Sequence, residues 1–359
     1  MPRKYRIDFV CHAISGGGAE RVLVLLAEKF GENHDVRIIT FNESSSYDLP
    51  SNIEHIKLYG GWIPNHTVRR FFNLLSFYRK KANRPDITIG FITRINLVSI
   101  LVSKVYKIKA IGCEHNNHLS DKTKLSRFTR NNVYKFADLI TILTKFDAPF
   151  FKDKGAKVEV VYNPATFSAI SEPRKARKKN ILVAGSLNKI YQKGWDNLVP
   201  IVGPLLQKHQ DWKLLIAGEG EKGESLLKNQ MEELRINPAS IEFLGFTNKI
   251  GEIMRDSEIF LMVSRYEGLP MVLIEAMSQG MACISYNCLT GPSEIITDNK
   301  NGILIENQNS SIMREGLDNL MADQEKRIML GQSAPVSIEK FNMSSIHKKW
   351  EEILEEILC

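Results

Sequence analysis

Two glutamates separated by seven residues carry the most chemical information in this chain. They frame the run Glu267-Gly268-Leu269-Pro270-Met271-Val272-Leu273-Ile274-Glu275. Glu275 sits in an otherwise apolar stretch, where a carboxylate is costly unless a charge or a hydrogen-bond donor meets it. Pro270 favours the first position of a helix. A helix is therefore expected to begin near it, leaving the amides of Gly268, Leu269 and their neighbours free as an anion site. A carboxylate ahead of the helix, amides at its tip and a second carboxylate further in suit a phosphorylated, polyhydroxylated ligand such as a nucleotide sugar. Taken alone, the spacing equally describes a surface helix with two solvated glutamates.

The elements that would position these groups repeat as strand then helix. Strands are expected at Tyr5–His12, Val36–Phe41, Ile87–Phe91, Ala110–Cys113, Leu139–Leu143 and Val158–Val161, with an apolar-faced helix at Ala19–Phe30. A second series follows at Asn180–Ala184, Lys213–Ala217, Ile241–Leu244, Ile259–Val263, Ala282–Tyr286 and Gly302–Ile305, and an amphipathic helix at Ser344–Leu358 ends the chain. Such alternation argues parallel sheets covered by helices. Pro164, Pro173 and the basic run from Arg174 to Lys179 read as an exposed linker between two Rossmann-like domains.

The 359 residues are enough for two domains, and 43% hydrophobic with 25% charged content is that of a globular protein. No apolar run approaches the roughly 18 residues of a membrane span. The basic start is followed only by a strand-like segment, so no signal peptide is expected. Five scattered cysteines without a Cys-x-x-Cys fit a reducing cytoplasm rather than disulfides or zinc. The net charge of +7 is uneven: residues 1–165 hold 26 Lys and Arg against 15 Asp and Glu. That half is the one expected to face an anion.

Four patches, in this order and within this layout, resemble the retaining GT-B glycosyltransferases of family 4. They are Gly16-Gly17-Gly18-Ala19-Glu20-Arg21, Cys113-Glu114-His115-Asn116, Lys193-Gly194, and Glu267 through Glu275. The likeness spans nearly the whole chain and is closest to bacterial enzymes that build polysaccharides or lipid-linked oligosaccharides. It implies two Rossmann-like domains facing across a cleft. Residues 1–165 would form the acceptor domain, 166–340 the nucleotide-sugar domain, and 341–359 a helix returning to the first.

The resemblance also implies roles. Glu275 would hold the ribose hydroxyls, and Glu267, with the amides of Gly268 and Leu269, would contact sugar hydroxyls and phosphate. Lys193 would neutralise the donor diphosphate. The family's usual arginine position holds Ser186, which makes Lys189 and Arg265 candidate substitutes. Gly16, Gly17 and Gly18 would let backbone approach the donor, and His115, at a strand end, would act near the transferred sugar, with His118 as an alternative. Retention is implied as well, with the departing phosphate taking the acceptor proton. No Asp-x-Asp is present, so a metal-independent enzyme using a UDP-sugar and no cofactor is expected.

On the acceptor side, a helical projection of residues 66–83 puts Val68, Phe71, Phe72, Leu75, Tyr78 and Ala82 on one face. Arg69, Arg70, Lys80, Lys81 and Arg84 fall on the other, with Phe77 among them. A basic face with an exposed aromatic suits an anionic membrane surface or a lipid-linked diphosphate. Lys122, Lys124, Arg127, Arg130 and Lys135 form a second basic stretch. These features predict a cytoplasmic protein at the inner face of the membrane; no nucleic-acid motif accompanies the charge. Gly218-Glu219-Gly220-Glu221-Lys222-Gly223 matches Gly-x-Gly-x-x-Gly, but two glutamates are wrong for a pyrophosphate cradle. A sugar-nucleotide epimerase and a non-catalytic partner subunit are the remaining alternatives.

Overall fold

The structure is a computed structural model that describes residues 3–14, 18–43, 49–119, 123–171 and 176–359. The chain forms two compact units, one of Met1–Pro164 with Met343–Cys359, the other of Ala165–Asn342. Each is built on one parallel sheet, giving the α/β architecture of two Rossmann-like domains.

In the first unit the strands are β1 (Arg6–Cys11), β2 (Asp35–Thr40), β3 (Glu54–Lys57), β4 (Ile87–Phe91), β5 (Lys109–Glu114), β6 (Leu139–Ile142) and β7 (Val158–Val160), ordered β3-β2-β1-β4-β5-β6-β7. Three long helices cover it: α1 (Gly18–Phe30), α2 (His66–Arg79) and α3 (Thr93–Tyr106). The central strands β1 and β4 are buried along their length except for Arg6, as a sheet covered on both faces requires. β3 has no counterpart among the expected strands. Glu-His-Ile-Lys is one apolar residue among polar ones, half-exposed at the sheet edge, and pairing with β2 alone orders it.

The second unit holds β8 (Lys178–Ala184), β9 (Lys213–Ala217), β10 (Ile241–Gly245), β11 (Ser257–Met262), β12 (Ala282–Asn287) and β13 (Ile303–Glu306), ordered β10-β9-β8-β11-β12-β13. Its core gathers Trp195, Leu198, Trp212, Ile216, Leu261 and Ile284. The expected linker is corrected here. Lys178 and Lys179 already belong to β8, and Arg177 donates to the carbonyls of Met254, Ser257 and Gln279. Pro173 and Arg174 lie outside the described residues.

The helix Met343–Leu358 packs on α1. Glu351 meets His34 Nε2 at 3.1 Å, and Trp350 stands edge-on to Phe30. In each sheet the strand order reverses direction once, at β1/β4 and at β8/β11. Ligands of open α/β sheets bind outside the carboxyl ends of strands at such a reversal.

Candidate functional site

In the second unit both sides of the reversal carry the residues in question. β8 ends into Gly185 and Ser186; β11 ends into Val263, Ser264, Arg265 and Glu267. Lys193 Nζ lies 2.8 Å from Glu267 Oε1, and the Ser264 hydroxyl donates to the same oxygen at 2.6 Å. The carboxylate is buried, so a cation and a hydroxyl meet it as burial demands. The Thr290 hydroxyl donates to the Glu267 carbonyl, fixing the backbone behind it. Lys193 ends the short helix Ile190–Lys193, which Gly194 closes in the left-handed conformation with φ 69°. A Cβ there would stand 2.1 Å from the Val263 carbonyl oxygen. Only glycine lets this turn press against the end of β11, and that contact brings Lys193 to Glu267.

The helix after Glu267 runs Met271–Ser278, with Pro270 as its N-cap rather than its first residue. The unbonded amides at its tip therefore belong to Met271 and Val272, while Gly268 and Leu269 lie in the loop before it. Glu275 is buried on this helix.

Ser186 is exposed, and its carbonyl accepts from Trp195 Nε1. Arg265 is committed elsewhere. It forms a two-pronged pair with Asp196 at 2.6 and 2.7 Å and donates to the Tyr191 carbonyl, with its guanidinium over the Tyr191 ring. Of the two candidate substitutes, the exposed Lys189, at the N-cap of the short helix, is the one without such a pairing among the described residues. The glycines of the Gly-x-Gly-x-x-Gly match have a packing cause: a Cβ on Gly218 would fall 2.0 Å from the Gly185 carbonyl oxygen.

In the first unit His115 follows the end of β5. Its ring stacks on Phe91, with centroids 4.9 Å apart. Both ring nitrogens are shielded from solvent, and neither has a hydrogen-bond partner among the described residues. Burial pushes its pKa down to about 4, so the imidazole is neutral at physiological pH. A buried polar group without a partner calls for an explanation, and a ligand group is one. A small cavity beside it is lined by Val22, Leu26, Phe91, Leu143, Tyr162 and Trp350. Ile92, between β4 and α3, has φ 72°, an outlier for a β-branched residue. That turn sets Phe91 against His115 and Thr93 against Glu114.

Glu114 was legible only as part of the Glu-His-Asn patch. It is a buried anchor: Arg130 meets both oxygens at 3.1 Å, the Tyr134 hydroxyl donates at 2.8 Å and Thr93 at 2.9 Å. Arg130 is thus not a surface charge, and its reading as part of a basic stretch is corrected. His118 is also engaged. Its Nδ1 and backbone amide both reach Asp147 Oδ1, at 2.7 and 2.8 Å, and its ring stacks with both Phe146 and Phe150. Gly16 and Gly17 lie outside the described residues, as does Lys122; Gly18 opens α1 with open space where a side chain would stand.

α2 buries a stripe that only partly matches the one projected. Tyr78 is fully buried and Phe71 and Leu75 pack on the core as projected, but Leu74 is buried too, whereas Phe72 and Val68 are exposed. Phe77 packs against the core under the Arg37 guanidinium, so the exposed aromatic is Phe72. The four basic residues divide. Lys80 and Lys81 are exposed beyond the helix end, while Arg69 and Arg70 are half-buried along one pocket.

Sequence comparison matches residues 167–336 to the family described as Glycosyl transferases group 1 and residues 16–166 to Glycosyltransferase Family 4. The chain is 31% identical to the amylovoran biosynthesis glycosyltransferase AmsD of Erwinia amylovora, over 98% of this chain and 99% of that protein. It is 27% identical to the GalNAc-alpha-(1->4)-GalNAc-alpha-(1->3)-diNAcBac-PP-undecaprenol alpha-1,4-N-acetyl-D-galactosaminyltransferase of Campylobacter jejuni, over 98% of this chain and 99% of that one. Among solved structures, Anabaena HepE in complex with UDP-glucose superposes with a TM-score of 0.79 at 18% identity, covering 98% of this chain and 100% of that chain.

Proposed function

Because the chain belongs to the group 1 glycosyltransferases, with an amino-terminal half of the family 4 type, we propose that it moves a sugar from a UDP-sugar to a hydroxyl of a glycan or lipid-linked glycan, with retention, in bacterial surface polysaccharide or glycoconjugate synthesis. The observation that carries this reading is the Lys193–Glu267–Ser264 cluster at the strand reversal of the second unit. Lys193 holds a positive charge where a departing nucleoside diphosphate develops its own negative charge. Glu267 accepts hydroxyl hydrogens of the sugar, and Glu275 those of the ribose. His115, neutral and stacked on Phe91, positions the transferred sugar in this reading. The departing phosphate takes the acceptor proton, so no side chain serves as base and no metal is needed. The named substrates of the Campylobacter relative and the UDP-glucose in the HepE complex support the choice of acceptor and nucleotide.

Among the described residues no helix is long and apolar enough to cross a membrane. The exposed Lys80 and Lys81, beyond the helix that carries the exposed Phe72, suit a peripheral contact with anionic lipid on the cytoplasmic side.

The test is thermal shift in EDTA against UDP, UDP-sugars, other nucleotides and NAD. UDP at about 100 times its dissociation constant is expected to add about 2.7 kcal/mol of stability. A response to NAD alone would overturn the reading, and conversion of donor without any acceptor would point to an epimerase. His115→Ala is expected to keep its fold and to transfer at least about tenfold more slowly. The wild-type profile should show no inflection from this group above about pH 5, since its proton is gained only near pH 4. Near-normal transfer by the variant would remove His115 from the site.

A further inference from the structure

Lys193 ends a helix that does not hold itself in place. Ile190–Lys193 is a single turn, too short to be stable alone. None of its residues is buried, and of them Ile190, partly buried, packs on the core. Its N-cap, Lys189, makes no side-chain capping bond. Apolar burial therefore does little to fix the direction of Lys193, and bonds to neighbouring segments must do so.

The contact of Gly194 with the Val263 carbonyl is one such fastening, and Arg265 supplies others. Its amide donates to the Gln192 carbonyl at 2.8 Å. Its guanidinium donates to the Tyr191 carbonyl at 3.0 Å and lies over the Tyr191 ring, 4.5 Å from the centroid. The same group makes the two-pronged pair with Asp196, which fixes orientation as well as distance. Tyr191 precedes Lys193 in the chain and Asp196 follows it. One side chain thus grips the turn on both sides of the lysine. Asp196 lies in the first turn of the helix Trp195–Lys208, where an acid suits the positive helix end. The bond to Arg265 holds its carboxyl below the usual carboxylate range, so the pair is ionised at physiological pH. Both terminal nitrogens of Arg265 are engaged within the protein, and the loop that carries it leads into Glu267.

We propose, resting on the transferase reading of this site, that Arg265 is a positioning residue for sugar transfer: through Tyr191 and Asp196 it holds Lys193 against Glu267. It sets the lysine and the carboxylate in one frame and does not itself meet the donor.

Arg265→Met keeps the backbone bond to Gln192 and removes the grip. It is expected to lower kcat about tenfold, with KM for the UDP-sugar within about threefold of wild type. In a Lys193→Gln background the same substitution should cost less than about twofold more, since the residue it positions is already gone. A further loss of about tenfold in that background, or no loss in either, would overturn the proposal. Arg265→Lys keeps the charge without the fork and should stay near the Met variant. Recovery of the wild-type rate by Arg265→Lys would mean that the charge acts on the donor directly, which also overturns it. If Arg265→Met is unstable in urea unfolding, Asp196→Asn is read in the same two backgrounds, with a loss of at least about threefold expected only where Lys193 is present. A measurement without substrate separates the clamp from the transferase reading. Acetylation of Lys193 by limiting acetic anhydride, followed by mass spectrometry, is expected to run at least about threefold faster in Arg265→Met than in wild type. Unchanged labelling would sink the clamp whatever the protein transfers. A wild-type chain that neither transfers sugar nor responds to UDP would remove the transferase reading and leave the labelling result standing.

Discussion

Lys193→Gln is expected to lower kcat/KM for sugar transfer about a hundredfold, equivalent to about 2.7 kcal/mol of transition-state stabilisation. The cation lies at the end of a one-turn helix, is mostly buried and faces Glu267 at 2.8 Å. In the ground state the donor diphosphate is already charged, but charge on its leaving oxygen grows as the sugar departs. A group that meets growing charge acts on kcat. The loss is therefore expected mainly in kcat, with a smaller change in KM. Lys193→Arg keeps the charge but cannot reproduce the point contact with the Glu267 oxygen that Ser264 also bonds, and is expected to recover part of the rate. Steady-state kinetics with UDP-sugar and a lipid-linked or glycan acceptor decides the matter. A Lys193→Gln enzyme within about threefold of wild type would show that the diphosphate is neutralised elsewhere, with the exposed Lys189 next to be replaced.

Arg130→Met is expected to cost about 3–5 kcal/mol of stability, because it leaves the Glu114 carboxylate charged and enclosed. That is a large share of what holds a domain folded. Tyr134 and Thr93 would still donate to Glu114, yet no positive charge would remain beside it among the described residues. Adding Glu114→Gln removes the stranded charge, and the double variant should be more stable than Arg130→Met alone. Urea unfolding followed by near-ultraviolet dichroism measures both. A loss below about 1 kcal/mol in Arg130→Met would place the pair in a wetter setting than the geometry gives it. Transfer should also fall, since Arg130 holds the His118 carbonyl at 3.1 Å and Glu114 adjoins His115.

Much of this was legible in the sequence, for identifiable reasons. Central parallel strands such as Ile87–Phe91 and Lys213–Ala217 are apolar runs because both faces are buried, and their limits coincide with the structure. β3 was not legible, since an edge strand needs one partner and little apolar content. Periodicity showed that α2 is amphipathic but placed its stripe only in part, because both the core and the exposed rim carry aromatics. Arg130 read as surface charge because a sequence does not show Glu114 waiting for it. At the candidate site, Glu267 and Glu275 stood out by type and spacing, and Lys193 through the family resemblance. The contributions of Ser264 and of the strained Ile92 depend on which loops the sheets bring together, and nothing in their local sequence marks them.

The last helix carries a consequence for how the protein is made. Trp350 helps to wall the cavity beside His115, and Glu351 secures His34. Both are translated after the whole of the second unit. At roughly 5–20 residues per second, that delay is roughly 10–35 s. Through that interval the nascent first unit must hold its sheet with the Phe30 side uncovered. A chaperone arriving in that window would find apolar surface where the finished protein has none.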